Sequence, residues 1–212
     1  MKRGWRFLLV TGLAVGLAAV GARAPEAMAR MEAFRVVDIQ VQGNHYLSRE
    51  AALASAAVPP QASVWDDLDV YRGRLSAHPL VREARVRRLL PGTLMLEVRE
   101  WEPVAMVPDP ALVPVDGEGR VLPIDPVQHR LDLPILVPWG GEGALPLTPA
   151  QRRILAREIA RMAQADPELV ARISDLSLDR QGDLRAQVLE PAAVLLFRPG
   201  LPSRRIQEGM RV

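Results

Sequence analysis

Side chains able to do covalent or metal chemistry are scarce in this chain. It has no cysteine and three histidines among its 212 residues. The lack of thiols removes disulfides, thiolate metal sites and cysteine nucleophiles together. His45, His78 and His129 lie far apart in sequence, with no His-x-x-x-His spacing that would set two imidazoles on one helical face. The acidic candidates are Asp66, Asp67 and Asp69, and the pair Asp116 and Glu118, which alternates with Gly117 and Gly119. The first group reads as carboxylates at a helix start, where they favour the macrodipole, and the second as a tight turn that glycine permits. No hydrolase elbow, phosphate loop or paired catalytic carboxylates can be assembled. The residues therefore predict a protein that is not an enzyme, with no cofactor, no metal and no small-molecule substrate.

Binding chemistry rests on arginine. Lys and Arg number 27 against 25 Asp and Glu, a net charge of +2 that supplies no long-range field for nucleic acid. Arg82, Arg85, Arg87 and Arg88 form the densest basic cluster, without the nearby aromatics or recognition helix that nucleic-acid binding needs. Arg85 and Arg87 read either as a solvated strand face that discourages edge aggregation or as a docking surface for a protein partner. Arg153, Arg157 and Arg161 recur every four residues and line one helical stripe, read as a solvated face or as a contact for acidic lipid or an acidic partner. Trp65 and Trp101 suit a domain core or its junction with the next domain, Trp5 suits a membrane interface, and Trp139 beside Gly140 is a loop aromatic.

The elements that would carry these side chains follow from periodicity. Val37, Ile39 and Val41 alternate with Asp38, Gln40 and Gln42, a half-buried strand ending at Gly43-Asn44. Ser48 caps a short helix over 49–57, closed by Pro59-Pro60. Ser63 and Asp66 form a capping-box pattern for a second helix with Val64, Leu68, Tyr71 and Leu75 on one face. Ala84 and Val86, then Leu94, Leu96 and Val98 around Pro91-Gly92, give two further strands. The order β-α-α-β-β predicts a small α+β unit.

A second, strand-rich unit is expected from Glu102 onward. It starts with a hairpin of 112–115 and 121–124 around the turn Asp116-Gly117-Glu118-Gly119. Thr148, Pro149 and Gln151 announce one longer helix with Leu155, Ile159 and Met162 inward. Strands return at Leu176 and Leu178, at Leu184, Ala186 and Val188, and at Val194 and Leu196, around turns at Gln181-Gly182 and Glu190-Pro191.

Ahead of all this, residues 1–6 carry Lys2, Arg3 and Arg6, and residues 7–22 run without a charge. The positive flank predicts a cytoplasmic amino terminus and an extracytoplasmic remainder. Sixteen residues span roughly 24 Å as a helix, short against a bilayer core of about 30 Å. Ala27-Met28-Ala29 also offers the small-x-small pattern of a signal peptidase site, so anchor and cleaved signal both stand on residues alone.

Residues 78–105, HPLVREARVRRLLPGTLMLEVREWEPVA, resemble the POTRA signature of the FtsQ/DivIB family: an A-x-V-x-R strand, a P-x-T-L turn, and a strand ending E-x-x-P-V-A. FRVVDIQVQGNHYLS upstream is similar to that family's opening, and LVPVDGEGRVLPID with LPIL to the start of its β domain. The resemblance implies a bitopic inner-membrane protein of the bacterial division site. Its implied parts are a cytoplasmic tail (1–6), a transmembrane helix (7–22), a linker (23–33), a POTRA domain (34–101) and a β domain (102–212). It implies a scaffold of the divisome that helps control septal peptidoglycan synthesis through contacts with partners of the FtsB and FtsL kind, and it favours anchor over signal. It also implies a further helix and a final partner-binding strand past Arg204-Arg205-Ile206. That strand is not among the 212 residues: either the chain is shortened, or partner contact uses another edge, such as the strand near Val194 to Phe197. Arg85, Arg87, Val194 and Leu196 are accordingly the candidate protein-binding residues. Two other readings of the chain are a POTRA-bearing export or outer-membrane assembly factor and a secreted periplasmic binding protein.

Overall fold

The computed structural model describes residues 28–29, 31–140, 145–190 and 192–209. The cytoplasmic tail, the transmembrane segment at 7–22 and most of the linker expected from sequence lie outside the described residues, as does Pro191 of the expected turn. Among the described residues no helix is long and apolar enough to cross a membrane. The fold is α+β and divides into two compact units between Glu100 and Trp101.

The first unit contains β1 (Asp38–Gln42), α1 (Arg49–Ala56), α2 (Leu68–Ser76), β2 (Val81–Leu89) and β3 (Thr93–Glu100), preceded by a 3₁₀ turn over Glu32–Phe34. Its sheet has the order β1-β3-β2, with β1 parallel and β2 antiparallel to the central β3. Leu94, Leu96 and Val98 on β3 alternate inward as the sequence requires; Leu94 packs with Val64, Leu68 and Tyr71 in one buried cluster, and Leu75 is fully buried as well. Each fully buried leucine contributes roughly 1.5–3 kcal/mol relative to exposure.

Ser48 caps α1 by accepting from the Ala51 N–H, and the helix stops at Ala57, which adopts the left-handed region at φ 46°. The expected start of α2 is corrected. The Ser63 N–H does donate to Asp66 Oδ2 at 2.9 Å, but Ser63 and Asp66 close a turn, and the helix begins at Leu68 under Asp67. Asp66 is drawn away because its Oδ2 also accepts from the Tyr71 phenol at 3.1 Å.

The second unit carries β4 (Ala105–Asp109), β5 (Ala111–Val115), β6 (Ile135–Leu136), α3 (Pro149–Ala165), α4 (Pro167–Ala171), β7 (Ile173–Leu178), β8 (Leu184–Val188), β9 (Ala193–Phe197) and α5 (Ser203–Gly209). They form one six-stranded sheet of order β5-β4-β6-β7-β8-β9. The hairpin expected from 112–115 and 121–124 is also corrected. β5 pairs instead with the preceding β4, and only a single bridge, Val115 to Val121, remains of the other arm. Thr148 and Gln151 form the reciprocal capping box of α3. Leu155, Ala156, Ile159 and Met162 of α3 pack with Leu136, Leu176, Leu184, Ala186 and Phe197 into the core.

Candidate functional site

Among the described residues, the order of the second sheet leaves β9 at one end, paired on one side only, with β8. Its five residues, Ala-Val-Leu-Leu-Phe, are all apolar, whereas an edge strand with one wet face ordinarily alternates with polar residues. Leu195 and Phe197 turn to the core. Val194 and Leu196 turn the other way and stay 47% and 68% exposed. Register continues their face across β8 to Gln187 and Arg185, and across β7 to Asp175 and Ser177. Trp139, 41% exposed, stands beside that face, where Val137, Pro138, Asp175, Ser177 and Arg185 border an open groove of about 640 Å³.

Charge holds the far end of this edge. Glu158 is buried on α3, pairs with Arg161 one turn later, and accepts the Gly200 N–H at 3.0 Å. Arg161 in turn donates to the Leu201 carbonyl at 2.7 Å. The loop that leaves β9 is thus fastened to the long helix, and Gly200 supplies the positive φ of 82° that the bend requires. The arginine stripe on α3 is therefore not one free solvated face. Arg157 reaches Glu118 in the Asp116–Gly119 turn at 2.5 Å, and Arg161 serves the β9 loop. The Arg157 side-chain bond is the main cause that holds the Glu118 carboxyl below its usual range, and the same contact pushes Arg157 up.

In the first unit, β2 separates the arginine cluster by parity. Arg85 and Arg87 lie on the solvent face, where Arg85 pairs with Glu83 at 2.8 Å and Arg87 with Glu97 at 3.2 Å. Arg88 shares the inward parity of Ala84 and Val86, and its guanidinium donates to the carbonyls of Val64 and Asp66 and stands 5.8 Å from the Trp65 ring. Of the four arginines read as a cluster, one is thus a structural tie, and Arg85 and Arg87 each face an acidic neighbour. Trp65 packs edge-on to Phe34, and Trp101 lies under the Arg120 guanidinium at 3.8 Å, within the second unit.

Asp116, read as a simple turn residue, does more than sequence suggested. It is buried and accepts from the N–H groups of Glu118 and Arg120 and from Arg120 Nε. Among the described residues no cluster of three or more histidine or acidic side chains could hold a metal ion. The described geometry thus offers an apolar sheet edge beside an open, partly polar face, an arrangement suited to adding a strand from another chain.

Residues 34–101 match the family model of the POTRA domain, FtsQ-type. The chain is 30% identical over 191 residues to the cell division protein FtsQ of Myxococcus fulvus, covering 85% of this chain and 66% of that protein. It is 29% identical over 191 residues to the cell division protein FtsQ of Syntrophotalea carbinolica, covering 82% and 66%. To the cell division protein DivIB of Geobacillus kaustophilus it is 31% identical over 105 residues, covering 48% and 40%. The matched region therefore spans just under two thirds of the first two proteins and less than half of the third.

Proposed function

We propose that this chain, a relative of the FtsQ and DivIB cell-division proteins carrying a POTRA domain of FtsQ type, is a non-catalytic, single-pass scaffold of the bacterial divisome. In this reading residues 7–22 anchor it in the inner membrane with its amino terminus in the cytoplasm, and both folded units lie outside that membrane at the division site. The POTRA unit aids recruitment, with Arg85 and Arg87 on its outward face. The second unit gathers partners of the FtsB and FtsL kind and so helps control septal peptidoglycan synthesis.

The observation that carries the binding step is β9, an end strand with Val194 and Leu196 exposed on its outer face. Main-chain groups along such an edge give affinity to an added strand, and alternate side chains give it selectivity. A residue-specific test places a photo-crosslinking amino acid at Leu196 in dividing cells that make the full chain. Adducts with a small membrane division protein are expected. If β9 yields no adduct and depletion of the protein leaves cell length and septation normal, the scaffold reading fails.

A further inference from the structure

We propose that the β2–β3 turn of the POTRA unit rests on the lipid surface, with Leu90 and Val37 at the boundary between headgroups and acyl chains. Three aliphatic side chains crowd this end of the unit without being covered by it: Val37 is 82% exposed, Leu90 60%, and Leu89 38%. They belong to one tip. The Val37 N–H donates to the Gly92 carbonyl at 2.8 Å, and a Cβ on Gly92 would meet the Arg35 carbonyl at 2.7 Å and the Val37 side chain at 3.2 Å. The segment leading into β1 and the turn between β2 and β3 therefore touch.

Position along the chain selects the occupant. The uncharged run at 7–22 precedes the unit, so the chain enters from that side through the turn at Glu32–Phe34 and reaches the sheet at this tip. β2 runs toward the tip over nine residues, roughly 27 Å at about 3.3 Å per step, from an end where the loop carries the polar Asn44 and His45. Of the two ends of the sheet, the one joined to the uncharged run is the apolar one. An exposed apolar patch at such a place fits a shallow interfacial contact, in which aliphatic side chains enter the boundary while neighbouring arginines such as Arg35 stay with the headgroups.

This inference rests on the reading of residues 7–22 as a retained anchor, and the test separates the two. Because the chain has no cysteine, single Leu90→Cys, Val37→Cys and Ser76→Cys variants of the full chain each take one environment-sensitive fluorophore. Ser76 is exposed and lies just before the opposite end of β2. In nanodiscs of phosphatidylcholine and phosphatidylglycerol, labels at positions 90 and 37 should shift to the blue. Lipid-borne spin labels should quench them several-fold more than the label at 76. Equal quenching of all three by aqueous iodide overturns the inference. Carbonate extraction of the same protein from membranes tells which reading has failed: a chain that resists extraction while position 90 stays in water keeps its anchor and loses only the lipid-resting tip. A chain washed out by carbonate loses both.

Discussion

The Glu100 carboxylate, at the last residue of β3, accepts the backbone N–H of Leu47 at 2.9 Å, fifty-three residues away in sequence. The same carboxylate accepts from His45 at 3.0 Å and Tyr46 at 2.7 Å, so three successive amide donors converge on one buried acid. Such an arrangement fixes the loop between β1 and α1 to the central strand. Removing the acceptor leaves its buried donors unpaired, at about 1–3 kcal/mol for each group that water cannot reach. Glu100→Ala is expected to destabilise the first unit by roughly 3 kcal/mol, and Glu100→Gln by less, because the amide keeps one acceptor oxygen. Urea unfolding followed by tryptophan fluorescence measures both, and an unchanged midpoint for Glu100→Ala would refute the role.

Tyr71 gives a pH signature. Burial, followed by the nearby Asp66 charge and the hydrogen bond to it, pushes its phenol from an ordinary 10 up to about 12. A pKa raised in the folded state contributes stability that is complete below the unfolded value and is lost as pH rises through the folded value. The first unit should therefore weaken between about pH 10 and about pH 12. With Tyr46→Phe, Tyr71 becomes the only one of the two tyrosines to remain. An absorbance titration should then show its phenolate forming near pH 12, and adding Asp66→Asn should move that titration downward.

Glycines of opposite consequence test the backbone reading. At Gly119, φ is +74° and an added Cβ would lie 3.0 Å from the Arg153 backbone, so Gly119→Ala should cost on the order of 1–3 kcal/mol. Gly73 sits inside α2 with open space around it, and Gly73→Ala should stabilise by about 0.5–1 kcal/mol. Thermal melts of the two variants should move in opposite directions, and a shift of the same sign in both would contradict this account.

Local rules were readable where local chemistry decides the outcome. Ser48, Thr148 and Gln151 cap the helices that their spacing announced, and Leu94, Leu96 and Val98 alternate inward on β3. Reading failed where a distant partner competes. Asp66 serves a turn and Tyr71 instead of a helix start, and the exposed Arg157, while staying on its solvated stripe, finds Glu118 thirty-nine residues away, a pairing that no local spacing encodes. β4 escaped notice because Ala105–Asp109 lacks alternation and contains Pro108. That proline is tolerated because β4 meets β6 at Met106 alone. Of the candidate site, the apolar alternation of Val194 and Leu196 was legible, but the end position of β9 depends on strand order, which no short window encodes.

Exposure of Leu196 separates docking from folding. Because its side chain is 68% exposed, Leu196→Glu should change stability by no more than about 0.5 kcal/mol, the usual range for surface sites. Phe197 is buried in the core, and Phe197→Ala should cost about 3–5 kcal/mol. If β9 is the docking strand, crosslinking to division partners from a photo-crosslinker moved to Val194, on the same face, should fall sharply in Leu196→Glu at unchanged melting temperature. Undiminished crosslinking in a folded Leu196→Glu protein would place the partner elsewhere.

The Glu158–Arg161 pair supplies the last test, because it ties the loop after β9 to α3 through two backbone groups, Gly200 N–H and Leu201 carbonyl. Glu158 is buried and Arg161 is half-exposed, so each single removal leaves a charge or a backbone group without its partner. Glu158→Ala strands Arg161 and the Gly200 N–H together and should cost roughly 3 kcal/mol. Arg161→Ala leaves the buried carboxylate with one donor and should cost a similar amount. Since both act on one contact, the double variant should lose less than the two singles added, with a coupling of about 1–3 kcal/mol. Additive losses in a double-mutant cycle would mean that the two residues hold the loop independently. In that case hydrogen exchange along β9 should respond to each single variant by itself, to Glu158→Ala through the freed Gly200 amide and to Arg161→Ala through the freed Leu201 carbonyl.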